Sequence, residues 1–267
     1  MRSFSNIALG VAQLASLYSQ HFAAGHSEYC LDFPLSCTNK TVVPNTCCFN
    51  YPGGELLQTQ FWDTDPATGP ANHWTVHGLW PDHCDGTYSQ YCDESRQYTN
   101  ISAILKSYNA NSLLSYMETY WKDDGGNDES FWEHEWGKHG TCISTFDPNC
   151  YVDYTPQEEV VDFFQKTIDL FKTLDTYAFL AIAGIVPSTT KGYTSAQIEH
   201  ALGAFRRGVN ASIQCTGNQL NQVYYHFHVA GSAQDGIYVP TQPGESMPFF
   251  VFGGGGKREG GLMLWCV

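Results

Sequence analysis

The chain has 267 residues, of which 42% are hydrophobic, 15% aromatic and 15% charged, and its formal net charge is −14 at pH 7. This composition indicates a globular protein with a sizeable core and excludes a disordered chain. The acidic balance excludes a protein that holds nucleic acid on a broad basic face, because such a face needs clustered Lys and Arg. It still permits local contacts to a few phosphates, and it suits activity at acidic pH.

The first 25 residues form a distinct segment. Arg2 is their only charge, an apolar run follows from Ile7 to Leu17, and small residues stand at Ala23 to Gly25. This pattern predicts a secretory signal peptide over residues 1–25, and an ordinary N-terminal helix is the alternative. No apolar run is long enough to span a bilayer. We therefore expect a secreted or vacuolar protein without membrane contacts, whose one domain covers residues 26–267.

Hydrophobic periodicity predicts the elements of that domain. In chain order they are a stapled loop over 28–54, strands over 58–62 and 73–80, helices over 101–121 and 129–139, a helix that starts at Thr155, a helix over 194–207, and strands over 213–216, 222–230, 248–252 and 262–267. Strands and helices do not alternate as in βαβ units, so we predict a single α+β domain with a mostly antiparallel central sheet and several flanking helices. Three strand histidines, His73, His226 and His228, are predicted to be exposed.

Cysteine usage indicates the compartment. The chain has ten cysteines and no C-x-x-C pair. An even number without closely paired ligands predicts five disulfides in an oxidising compartment rather than zinc sites. Their connectivity stays open, except that the adjacent Cys47 and Cys48 should each pair elsewhere. Three N-x-S/T sequons, at Asn39, Asn100 and Asn210, are predicted glycosylation sites.

Titratable side chains concentrate in the predicted helix over 129–139. His134 and Lys138 are four residues apart, and so are Glu135 and His139, so one short helix presents two imidazoles, a carboxylate and an ammonium. The spacing H-E-x-x-x-H places the two histidines about 140° apart around the helix, which fits a zinc protease poorly. A nucleophilic triad is not supported, because no G-x-S-x-G is present and the cysteines are assigned to disulfides.

These groups suit the cleavage of an RNA phosphodiester. That reaction needs a base for the 2′-OH proton, an acid for the leaving 5′ oxygen, and positive charge on the phosphorane between them. Two histidines of opposite protonation supply the base and the acid near pH 5–7, and Lys138 with a third, protonated histidine supplies the charge. We therefore expect an acidic pH optimum.

Two segments carry a family resemblance. His77-Gly78-Leu79-Trp80-Pro81 and the stretch from His134 to Cys142 resemble the two active-site segments of the ribonuclease T2 family, and the cysteine pattern resembles its fungal members. The resemblance implies an α+β fold with an antiparallel sheet. It also implies an endoribonuclease of low base specificity that needs no metal or cofactor, acts on single-stranded RNA and not DNA, and passes through 2′,3′-cyclic phosphates to 3′-phosphate ends.

The resemblance also implies residue roles. His77 and His139 are the acid–base pair, with the base of the first step left open. His134 binds phosphate, and Glu135 and Lys138 steady the pentacoordinate state. The 5′-side base contacts Trp80, Asp82 and Tyr88, and the 3′-side base contacts Gln60, Phe131 and the loop over 122–126, whose acidic, glycine-rich sequence predicts weaker or altered selection there. The implied disulfides are Cys30–Cys48, Cys37–Cys84, Cys47–Cys150, Cys92–Cys142 and Cys215–Cys266.

Two other functions compete with this interpretation. A secreted binding protein could keep the fold and act through its surface or its glycans, and a zinc hydrolase is the third possibility. A His139→Phe variant separates the nuclease from the binding protein, and resistance to chelators separates it from the zinc hydrolase. We expect a monomer.

Overall fold

The computed structural model describes residues 26–27, 30, 34–38, 43, 45–64, 66–243 and 265–266, the first and last pairs as backbone alone. The predicted signal peptide, the sequon at Asn39 and the predicted strand over 248–252 lie outside these residues. Within them, no helix is both long and apolar enough to cross a membrane.

The prediction of an α+β fold with a mostly antiparallel sheet is confirmed. The strands are β1 His26–Ser27, β2 Glu55–Phe61, β3 Thr75–Asp82, β4 Tyr151–Val152, β5 Gly192–Tyr193, β6 Ser212–Thr216, β7 Gln219–Ala230, β8 Ile237–Pro240 and β9 Trp265–Cys266. The α-helices are α1 Ile101–Ser107, α2 Asn111–Tyr120, α3 Asp128–Lys138, α4 Glu158–Thr173, α5 Thr176–Ile182 and α6 Ser195–Ala204. The main sheet follows the order β3-β2-β7-β9-β5, and β6 and β8 also pair with β7. Only β5 and β9 run parallel among the described pairs.

One face of the main sheet is covered by helices. Leu56, Val76 and Leu79 are fully buried there in one apolar cluster, which α1 to α4 complete. Val223 and Tyr225 of β7 contribute to a second cluster, against α5 and α6. Because residues directly opposite each other on antiparallel strands share a face, the register of β2, β3 and β7 leaves the other face available for a site.

A β-bulge in the β2–β3 pair brings His77 to the same face as Gly78 and Trp80. Thr59 pairs with Gly78 and Gln60 pairs with Val76, so His77 is the extra residue on β3. Without the bulge, strict alternation would place His77 opposite to both Val76 and Gly78. The extra residue instead lets Val76 remain in the core while His77 and Gly78 both belong to the open face.

The predicted element bounds were wrong in two helices. The helix expected over 101–121 is two helices, because the chain breaks between them at Asn109, whose φ is 57°. The helix expected to start at Thr155 begins at Glu158, after Gln157 with a φ of 74°. The Glu158 side chain accepts a hydrogen bond from the Thr155 backbone N–H at 2.9 Å, which closes this turn before the helix.

Two of the three histidines predicted to be exposed are less exposed than predicted. His73 is exposed, as expected, and His228 is half-buried. His226 is fully buried, and the prediction of exposure was wrong. The reason is that Glu55 and Ser212 on the neighbouring strands satisfy both ring nitrogens, which removes the cost of burying the imidazole.

Four of the five implied disulfides are present. They are Cys30–Cys48, Cys37–Cys84, Cys47–Cys150 and Cys92–Cys142. Cys215 is also disulfide-bonded. The side chain of Cys266 lies outside the described residues, so the Cys215–Cys266 pairing stays a prediction.

The α4 core position Phe163 generates a stability prediction. Phe163 is 0% exposed, whereas Ile182 on α5 is 72% exposed. We expect Phe163→Ala to lower the free energy of unfolding by about 3–5 kcal/mol, because it removes a buried ring and leaves a cavity. The control Ile182→Ala should change it by less than about 0.5 kcal/mol. Denaturant unfolding measures both, and equal losses in the two variants would contradict this packing.

Candidate active site

The site forms where α3 packs beside β3, the edge strand of the main sheet. Trp132 and Trp136 are one helical turn apart and bury their rings in the first apolar cluster. Their indole N–H groups donate to the backbone carbonyls of Trp121 at 2.9 Å and Arg96 at 2.6 Å. These contacts fix the rotation of α3 about its axis, so that Glu135 points at β3.

Gly78 provides the space for that carboxyl group. A Cβ at position 78 would lie 2.0 Å from Glu135 Oε2 and 2.8 Å from Trp80 Nε1. The indole N–H of Trp80 donates to Glu135 Oε2 at 2.9 Å. Any side chain at this position would therefore displace either the carboxyl or the indole.

His77 is held by three neighbours. Its ring stacks on Phe61 with centroids 3.9 Å apart, and its Nδ1 lies 3.0 Å from Gln222 Oε1. Its Nε2 lies 3.7 Å from Glu135 Oε1, which is too far for a hydrogen bond. Burial, with the nearby Lys138 charge, lowers the pKa of His77 to about 3 despite the hydrogen bond to Gln222.

His139 follows the last residue of α3 and lies against Trp80. The two rings stack at a centroid distance of 4.8 Å and an angle of 13°. Burial and then the charge of Lys138 lower the pKa of His139 to about 2. Its buried Nε2 has no hydrogen-bond partner within the described part of the chain, and the same holds for Glu135 Oε1. Burial raises the pKa of Glu135 to about 8, so both side chains are uncharged near neutral pH.

His134 lies at the exposed rim of the cluster. The hydroxyl of Tyr91 is 3.3 Å from His134 Nδ1, and the Tyr91 backbone N–H donates to the carbonyl of Lys138 at 3.0 Å. Partial burial and the charge of Lys138 lower the pKa of His134. The neighbouring Cys92–Cys142 disulfide connects the segment of Tyr91 to the turn after α3.

Three of these side chains could ligate a metal ion. One ligand atom each of His134, Glu135 and His139 lies within 4.8 Å of the other two. The ammonium of Lys138 lies in the same cluster, and it opposes a dication and favours an anion. An oxyanion would also meet the unpaired groups of Glu135 and His139, so the donor set fits phosphate better than a metal ion.

A cavity of about 860 Å³ adjoins the cluster. Trp80, Asp82 and Tyr88 line it together with Lys138 and His139, so the structure brings the three expected 5′-side base residues to the cluster. Burial and then the charge of Glu55 raise the pKa of Asp82 to about 7.

The two expected 3′-side residues are not together. Phe131 is close to the cluster, with its ring centroid 5.8 Å from that of His77. Gln60 is fully buried on the helix-covered face of the sheet. Its side-chain amide donates to the Leu174 carbonyl at 3.1 Å and accepts from the Thr176 hydroxyl at 2.6 Å. Gln60 therefore faces away from His77, and its polar groups are occupied.

Sequence reasoning missed four residues that contact the cluster. They are Phe61, Tyr91, Gln222 and Tyr224. The alternation of β7 does place Gln222 and Tyr224 on one face. However, only the register between β7 and β2 shows that this face is the one with His77.

Comparisons with known proteins agree with this architecture. Residues 43–235 match the Ribonuclease T2 family. The chain is 60% identical over 210 residues to ribonuclease Trv of Hypocrea rufa. This alignment covers 79% of this chain and 89% of that protein. It is 52% identical over 242 residues to ribonuclease T2 of Aspergillus oryzae, with coverage of 89% and 86%.

Solved structures give the same result. The crystal structure of Actibind, a T2 ribonuclease, has a TM-score of 0.79 and 55% identity over 82% of this chain and 92% of its own. RNase NT in complex with 5′-AMP has a TM-score of 0.52 and 26% identity, with coverage of 79% and 97%. From the family match, these identities and the shared fold, we conclude that the chain belongs to the ribonuclease T2 family.

Proposed function

We propose that this T2-type endoribonuclease cleaves single-stranded RNA without a metal ion, through 2′,3′-cyclic phosphates to 3′-phosphate ends. One observation carries the proposal. Two imidazoles, His77 and His139, both lie against the Trp80 indole, at centroid distances of 4.5 Å and 4.8 Å. Beside them are the ammonium of Lys138 and the two buried, unpaired atoms Glu135 Oε1 and His139 Nε2.

The first step is an attack by the 2′ oxygen on phosphorus. One imidazole takes the 2′-OH proton, the P–O5′ bond breaks, and the other imidazole protonates the leaving 5′ oxygen. Water then opens the cyclic phosphate with the two roles exchanged. Burial keeps both His77 and His139 neutral in the free protein, and the negative charge of a bound phosphate raises their pKa values. Substrate binding thereby supplies the protonated partner, and the order of the two histidines stays open.

Three further groups act on the phosphorane. The Glu135 carboxyl, whose pKa is raised by burial, donates a hydrogen bond from Oε1 to a non-bridging oxygen. The Lys138 ammonium stabilises the developing charge, and His134 at the exposed rim binds the incoming phosphate. Trp80, Asp82 and Tyr88 receive the 5′-side base, since stacking on an aromatic ring tolerates any base.

Secretion and a monomeric state are part of the same proposal. Disulfide-rich chains belong to oxidising compartments. Of the predicted glycosylation sites, Asn100 and Asn210 are exposed.

The reaction is tested with purified protein at about pH 5 in excess EDTA. We expect cleavage of single-stranded RNA, 2′,3′-cyclic phosphate ends and intact DNA, because DNA lacks the 2′-OH nucleophile. His77→Ala and His139→Phe should each lower kcat/KM by about 10²–10⁴-fold. The control His73→Ala changes an exposed histidine four residues before His77 and should retain activity.

Two outcomes would contradict the proposal. Activity that EDTA abolishes and zinc restores would favour a zinc hydrolase at His134, Glu135 and His139. Intact RNA from protein with its disulfides formed would favour a binding protein that has lost catalysis.

Lys138 generates a prediction on pH. Its charge lowers the pKa of both His77 and His139. Lys138→Gln removes this charge, so both pKa values rise and the whole kcat/KM profile moves to higher pH. The maximal rate should also fall by about 10²–10³-fold, because a transition-state contact is lost. Lys106→Gln, on an exposed position of α1, is the matched control. A lower rate with an unmoved profile would show that Lys138 does not act on the histidines.

The loop over 122–126 generates a prediction on the 3′-side base. Lys122 pairs with Asp128, and Asp123 accepts from the Asn127 backbone N–H, so both side chains are bonded to the start of α3. Because Gln60 also faces away, few free polar groups remain to read this base. We expect kcat/KM to vary little among dinucleotides that differ only at the 3′ base. A strong preference for one 3′ base would refute this.

A further inference from the structure

The cavity beside the catalytic cluster is longer than one nucleobase. Its floor crosses neighbouring strands in the order β3, β2, β7 and β6, at Trp80, Leu57, Tyr224 and Ser212. Adjacent strands lie about 4.8 Å apart, so the floor spans about 14 Å. A nucleobase is similar in size to the indole of Trp80. One base stacked on Trp80 therefore leaves the β6 end of the cavity free.

The β6 end differs in charge from the catalytic end. We call it the distal wall, and it consists of Glu199, Ser212, Gln214 and Gln242. Lys138 is the one cationic side chain among the described residues that line the cavity. A phosphate is therefore held at the Lys138 end. The distal wall offers amides, a hydroxyl and one carboxylate, which supply no positive charge for a phosphate but can bond to base edges.

Ser212 on the distal wall is oriented by a buried pair that the reaction does not use. The Ser212 Oγ lies 2.9 Å from His226 Nε2, and His226 Nδ1 lies 2.7 Å from Glu55 Oε1. His226 is 0% exposed and Glu55 is 4% exposed, whereas Ser212 lines the cavity. A buried, fully satisfied polar network fixes the geometry of its members. Here the network presents one hydroxyl to the cavity in a set direction.

Gln214 on the distal wall is connected to a catalytic group. Its Oε1 accepts from the Tyr224 hydroxyl, which lies 3.1 Å from Gln222 Oε1. The same Gln222 oxygen lies 3.0 Å from His77 Nδ1. A ligand that bonds to Gln214 would therefore also act on the side chain that orients His77.

We propose that the distal wall is a further nucleotide subsite, which binds the base of the nucleotide on the 5′ side of the one stacked on Trp80, with the Ser212 hydroxyl as a hydrogen-bond partner. This inference rests on the proposed function, since it extends the substrate of the same site. The substrate class is then an oligoribonucleotide with at least two nucleotides on the 5′ side of the cleaved bond.

The test compares a dinucleotide with a trinucleotide that carries one extra nucleotide at its 5′ end. The extra nucleotide has a 2′-deoxy sugar, which cannot attack its own phosphate. Both substrates are therefore cut only at the bond before the last nucleotide. In the wild type, we expect kcat/KM to be about 3- to 10-fold higher for the trinucleotide, the value of about one hydrogen bond. Ser212→Ala should reduce this ratio to near one. Because this change also removes the sequon at Asn210, all proteins are deglycosylated before the assay. Thr216→Ala, an exposed position on the same strand, should keep the wild-type ratio.

Two results would overturn the subsite. One is equal kcat/KM for the two substrates in the wild type, and the other is an unchanged ratio in Ser212→Ala. Thermal unfolding of each variant shows whether it is folded. Because a ratio within one protein is compared, a uniform loss of activity from a structural effect does not imitate the expected result.

Failure of the proposed function gives a different pattern. In that case neither substrate is cut by the folded wild type. Binding of fully 2′-deoxy di- and trinucleotides, followed by the fluorescence of Trp80 and its neighbours, then tests the subsite alone. Tighter binding of the trinucleotide that Ser212→Ala abolishes would support the subsite, and equal binding would refute it.

Discussion

The contact between Glu135 and Gly78 positions the other groups of the site. The carboxyl occupies the space that a side chain at position 78 would fill, so α3 approaches β3 closely. On its other side, the helix buries Trp132 and Trp136 in the core. A helix held on both sides cannot rotate or slide without losing packed contacts. His134, Lys138 and His139 then take their places because they belong to the same short segment.

Burial determines the charge state of this cluster before substrate arrives. The two histidines that lie against Trp80 are neutral, and Glu135 is protonated near neutral pH. The cluster thus combines uncharged buried donors with one ammonium, which is an arrangement that favours an anion. Since a bound anion raises the pKa of each imidazole, substrate binding and proton uptake are coupled. This coupling gives an acidic pH range a physical cause beyond the net charge of the chain.

Short-range patterns in the sequence predicted the fold class and identified the catalytic cluster around Glu135. The string from His77 to Pro81 lies on β3, and the segment from His134 to Cys142 covers the end of α3 and the turn after it, so local spacing is sufficient to group the residues within each segment. His77 and Trp80 share a face only because of a bulge, and the orientation of Gln60 depends on strand register. Both arise from pairing with residues distant in the chain, which periodicity along one strand does not contain.

The same limit applies to burial. His226 resembles an exposed strand histidine by alternation alone, and its partners Glu55 and Ser212 come from two other strands. The break between α1 and α2 depends on one left-handed residue, Asn109, within an otherwise helical pattern. Such features require the tertiary structure.

The distribution of charge has a consequence for the response to ionic strength. Proteins with many basic contacts lose affinity for RNA as salt is added, because the counterions that binding releases gain less entropy in a concentrated salt solution. Here Lys138 is the single cation among the described lining residues, and the whole chain carries a formal charge of −14. Added salt therefore removes little attraction, while it screens the repulsion between two polyanions. The affinity of this protein for RNA should therefore stay constant or rise as the salt concentration increases, because its recognition depends on stacking and hydrogen bonds instead of counterion release.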